Sequence, residues 1–128
     1  MIDNMLAKLI TLHKKDKDTT SLIDDIATSI IPNDKNISIW EIGSQNLTRA
    51  FILAMLHNKE ESTLTLSRFQ DFCGLGYIEN DRLELMKTYF KAHNLEIRRW
   101  ADAVLSSSND AARRYLSTFY AHLARAKA

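Results

Sequence analysis

The chain has 128 residues with 17 Lys and Arg against 16 Asp and Glu, a formal net charge of +1. That length suits one domain with a real core, and the near balance of charge excludes the strongly basic class that announces nucleic-acid binding by composition alone. A single cysteine, Cys73, excludes an intrachain disulfide and a cysteine-rich zinc site, and fits a reducing compartment. The charge is uneven: residues from Lys91 onward carry +4 and the first ninety carry −3.

Three glycines and one proline leave few tight turns, and no strictly alternating strand pattern is present. The expected fold is therefore all-α, a compact single-domain bundle of about six or seven helices over residues 1–128. Ile2, Met5, Leu6, Leu9 and Ile10 have helical spacing. The polar stretch from His13 to Ser21 reads as an exposed loop. Leu22, Ile23, Ile26, Ala27 and Ile30 form a second stripe, stopped by Pro32, which disfavours helical geometry in the residue before it.

A third helix is expected from near Ile39 to about His57. Its first half is one-sided, with Trp40, Gly43, Leu47 and Ala50 together, and its second half is apolar all round, as a central helix should be. After a polar break at Lys59–Thr63, Thr65 can cap a short helix carrying Leu66, Phe69, Phe72 and Cys73, with Gly74 as its stop. Asn80 or Asp81 should start the next helix, through Leu83, Met86, Tyr89 and Phe90 to near His93 and Asn94. Ile97, Trp100, Ala101, Val104 and Leu105 then make a stripe whose opposite face holds Arg98, Arg99 and Asp102.

Ser106, Ser107, Ser108 and Asn109 are good caps for a last helix, because their side-chain oxygens can accept from the unpaired N–H groups of its first turn. In that helix Leu116, Phe119, Tyr120 and Leu123 line one face. Arg114 and Arg125 fall on the other, about 16 Å apart by helical rise, and suit an extended acidic partner.

No catalytic constellation emerges. His13, His57, His93 and His122 are isolated, without a second ligand at the spacing a metal needs. Cys73 has no base beside it in sequence and reads as a buried structural thiol. Gly74 and Gly76 lack the rest of a phosphate loop. Asp24 and Asp25 are adjacent and diverge on a helix, so both read as solvated. Trp40 and Trp100 lie on apolar stripes and read as core, while Tyr115 and Tyr120 stay open between core and partner contact. The chain thus reads as no enzyme, with no cofactor and no metal. The candidate partner- or DNA-binding residues are Arg98, Arg99, Arg113, Arg114 and Arg125, whose planar forks suit phosphate or carboxylate.

Two segments resemble the all-alpha domain of the conjugation coupling proteins of type IV secretion systems, in the form carried by Gram-positive mobile elements. They are Ile39–Leu56, with its Trp-Glu, small residue and apolar helix, and Val104–Leu123, with its serine break and following helix. The intervening TLTLSRFQDF and LELMKTYF, and the preceding DIATSIIP, are similar in order and spacing, so the likeness covers about Asp25 to Leu123. Ala111, Ala112, Arg113 and Arg114 stand where that family typically has a Thr-Arg-Gly-Ser-like sequence.

The resemblance implies a non-catalytic substrate receptor inserted in a membrane-anchored hexameric ATPase whose motor motifs lie outside this chain. It implies as partners a relaxase or relaxosome accessory protein, the parent motor domain, and single- or double-stranded DNA. It also implies a cytoplasmic position under the membrane without direct insertion, and an inserted domain should have neighbouring ends, with first and last helices close together. The rival reading is an independent DNA-binding regulator in which the serine break is the turn of a helix-turn-helix. A purely structural or self-associating module is the third.

Overall fold

The structure, a computed structural model, describes residues 1–57, 64–75 and 82–128. Seven helices run through the described residues: α1 (Ile2–Lys14), α2 (Thr20–Ile30), α3 (Ile39–Leu56), α4 (Leu66–Phe72), α5 (Arg82–Lys91), α6 (Leu95–Leu105) and α7 (Asn109–Arg125). The all-α expectation holds. The polar break at Lys59–Thr63, the proposed start at Asn80 or Asp81, and Gly76 lie outside the described residues.

Helix α3 is the axis of the bundle. It packs most broadly against α6 and α7 and also against α2 and α4. Its second half buries Ala50, Phe51, Ile52, Ala54, Met55 and Leu56, so the all-round apolar pattern did mark a helix enclosed by others. Polar residues on its first half are buried too, but each is satisfied. Ser44 donates to the carbonyl of Trp40 at 2.7 Å, Thr48 to that of Ser44 at 2.8 Å, and Gln45 to the carbonyl of Ile31 at 2.8 Å. Gln45 thereby ties the end of α2 to the central helix, and removing it would strand a buried carbonyl.

Helix starts follow side-chain chemistry. Ser38 and Glu41 form a reciprocal capping box on α3, Thr65 accepts from the Arg68 N–H on α4, Asn94 accepts from the Ile97 N–H on α6, and Ser108 accepts from the Ala111 N–H on α7. Of the four cap candidates at the serine break, Ser108 is the one used. Helix α2 begins at Thr20, inside the expected loop, because Asp18 accepts from both the N–H and the hydroxyl of Thr20, at 3.0 and 2.8 Å. These bonds hold the Asp18 carboxyl below its ordinary range. Gly74, with φ of +80°, is the left-handed stop beyond α4.

Two links between α4 and α7 run in opposite directions. Gln70 donates to the carbonyl of Leu123 at 2.9 Å, and the Tyr120 hydroxyl donates to the carbonyl of Cys73 at 2.6 Å. Each long helix end or short helix end thus has its exposed carbonyl answered by a side chain from the other element. The chain ends also meet, since the Met1 amino group donates to the Ala128 carbonyl at 2.6 Å. The expected packing of first against last helix is narrower than that: the main neighbours of α1 are α2 and α4, and the contact between ends is made by Met1, Asp3 and Ala128. No helix among the described residues is long and apolar enough to cross a membrane.

Candidate functional site

The five arginines do not converge on one pocket, because each helix turns its neighbours about 100° apart and each side chain finds its own surroundings. Arg114 is exposed, yet it is engaged within the fold. Its guanidinium carbon lies 4.3 Å from the centre of the Trp40 ring, whose other neighbour is Tyr115 at 4.8 Å between ring centres. A cation over an indole at this separation gains electrostatically from the ring quadrupole. Arg114 therefore clamps the start of α3 onto α7 as well as offering charge. Glu41 completes that clamp, with one carboxylate oxygen in the capping box and the other 3.2 Å from His122 Nε2.

The close approach depends on Gly43. A Cβ there would stand 2.3 Å from Tyr115 Cε1, and Ser44 donates to the Tyr115 carbonyl at 3.1 Å directly beside it. The small residue after Trp-Glu is what lets α7 lie against α3. Tyr115 is thus assigned to packing, and Tyr120, bonded to Cys73, to the join of α4 and α7.

Among the described residues the other four arginines have no ring beneath them, but they differ in exposure. Arg99, Arg113 and Arg125 are exposed, and Arg113 has only an exposed pair with Asp110 at 4.0 Å, which contributes little. Arg125 borders an open groove of about 430 Å³ between the chain ends and the end of α2, shared with His122 and Lys127. Arg98 is half-buried, and its Nε has no hydrogen-bond partner among the described residues. The charged surface is a set of separate points along α6 and α7.

Three readings made from single residues change. Asp24 is not merely solvated: Arg49 Nε donates to it at 2.8 Å while the same guanidinium lies 5.2 Å from the centre of the Trp100 ring. Arg49 so joins α2, α3 and α6, a role no local pattern announced. His122 is partnered by Glu41 rather than isolated. Trp40 and Trp100 are only half-buried and each is faced by an arginine, although Trp100 also packs against the buried core. Cys73 is buried as expected, and burial pushes its thiol well above the ordinary range, away from a nucleophilic thiolate. Among the described residues no group of His, Cys, Asp and Glu is placed to hold a metal ion.

Compared with protein families, with curated proteins and with solved structures, the chain matches none.

Proposed function

We propose that this chain is a non-catalytic recognition domain that binds a macromolecular partner through the outward faces of α6 and α7. The observation that carries the reading is the exposure of Arg99, Arg113 and Arg125 on the two helices that close the bundle, where forked cations can reach carboxylates or phosphates. The resemblance to the all-alpha domain of conjugation coupling proteins supplies the partner: a relaxase or a relaxosome accessory protein, with DNA as a further contact. An inserted receptor domain needs neighbouring ends, and the bond between Met1 and Ala128 is compatible with that requirement. On this reading the parent ATPase stands at the cytoplasmic face of the membrane.

The test is a titration of the domain against the relaxosome proteins of its own mobile element. Binding that weakens when Arg99, Arg113 and Arg125 become alanine supports the reading, and no binding by the domain, alone or within its parent, overturns it. Contact with phosphates would add a steep fall of affinity with salt, roughly one power of salt concentration for each phosphate neutralised. A sequence-specific duplex footprint without relaxosome binding would favour the helix-turn-helix regulator instead.

A further inference from the structure

Beside the bundle core, and apart from the arginine faces, a cavity of about 290 Å³ opens between the end of α4 and the side of α5. Phe51 of α3 and Tyr120 of α7 reach its inner side, Phe72 and Cys73 form one wall, and Leu85 and Tyr89 stand on the other. The aromatic walls are mutually fixed. Phe72 meets Phe51 and Tyr89 edge-on, with ring centres 6.3 Å apart in both pairs. Leu85 is 61% exposed and Tyr89 38% exposed, so two large apolar side chains flank the opening one helical turn apart.

The polar groups of this cavity are turned toward the protein's own backbone. The Tyr120 hydroxyl is committed to the Cys73 carbonyl at 2.6 Å. Arg82 donates to the Gly74 carbonyl and lies over the Tyr120 ring, 4.9 Å from its centre. What is presented to the opening is therefore mainly ring and aliphatic surface. Burial raises the pKa of Cys73, Tyr89 and Tyr120, the last up to about 12, so among the lining groups only the Arg82 guanidinium is charged at neutral pH.

We infer that this cavity is a binding site for a small, uncharged aromatic molecule, one ring system in size. The volume is at the lower limit for ligand pockets, too small for a nucleotide or a large cofactor and sufficient for a single or fused ring. Such a ring takes edge and offset contacts from Phe72, Tyr89 and Tyr120 and a polarisable contact from the Cys73 sulfur. A carboxylate would be taken out of water against a mainly apolar wall, and Arg82, the one lining cation, is already engaged by the Gly74 carbonyl and the Tyr120 ring.

The site is independent of the recognition reading, and neither stands or falls with the other. Titrating the full chain with indole, followed by NMR shifts of side-chain methyl and aromatic signals, tests it. Saturable shifts confined to Phe72, Leu85, Met86, Tyr89 and Tyr120 are expected, with phenylacetate bound at least about tenfold more weakly than indole. Leu85→Trp tethers an indole at the opening at an exposed position that folding tolerates, and is expected to weaken free indole about tenfold or more. Absent or scattered shifts, or phenylacetate binding as tightly as indole, would overturn the site.

Discussion

At the scale of single residues, the most demanding position is Gly43. Alanine is the better helix former by about 1 kcal/mol, but its Cβ would stand 2.3 Å from the Tyr115 ring, which is held against Trp40. Overpacking of this kind costs about 1–3 kcal/mol, so Gly43→Ala is expected to destabilise on balance, and Gly43→Val to do so more. Chemical denaturation of Gly43→Ala with and without Tyr115→Leu measures this; the second change should recover part of the loss, since it removes the atoms that clash.

Tyr120 makes a second residue-scale prediction. Burial, opposed in part by Arg82, raises its pKa to about 12 from an ordinary value of about 10. Between those values the folded chain holds a proton the unfolded chain has lost, so unfolding free energy falls as pH rises. The contribution is fully present below about pH 10 and is lost as pH climbs through 12. Tyr89 and Cys73 are shifted upward too and act in the same direction. Denaturation as a function of pH should therefore show an alkaline decline that is shallower in Tyr120→Phe. At neutral pH that variant should be less stable by about 1–2 kcal/mol, because the Cys73 carbonyl loses its donor.

At the scale of elements, helix starts are where short sequence signals and structure agree best. Thr65 was readable as a cap because a cap acts within three residues, and Ser108 belongs to a run in which any of four side chains had the chemistry. The register within that run was decided by which residue the packing of α7 leaves outside the helix. Glu41 has a double duty that no local rule contains, capping α3 and meeting His122 on α7. Ser38→Ala should cost about 1 kcal/mol, the usual worth of a cap. Glu41→Ala should cost more, and a double-mutant cycle with His122→Ala isolates the cross-helix share as a non-zero coupling of about 0.5 kcal/mol or more.

For the whole molecule, the pairing of Met1 with Ala128 means that the chain path closes on itself. A short glycine-serine linker joining the ends, with new ends opened between Lys17 and Asp18 in the α1–α2 loop, is expected to give a permuted chain of stability within about 1 kcal/mol of the parent. Matching helical circular dichroism and denaturation midpoints would confirm it; a collapse of cooperativity would show that the order of folding through α1 matters. The five arginines also belong to this scale. Their types and positions were legible, but not their employment, because whether an arginine serves a partner or a tryptophan depends on what another helix brings to it. Trp40 and Arg114 are seventy-four positions apart in the chain and 4.3 Å apart between ring centre and guanidinium carbon.

Amino-acid order by itself determined that this is a helical chain, where most of its helices run, and that α3 is enclosed. Those properties rest on periodicity, caps and breakers that act over a turn or two. Tertiary structure alone decided that Arg49 bridges Asp24 and Trp100, that Arg114 lies over Trp40, and that Phe72, Tyr89 and Tyr120 surround an opening. Each of these needs side chains from two or three helices at once, and helix patterning specifies which face is buried without specifying which neighbour buries it.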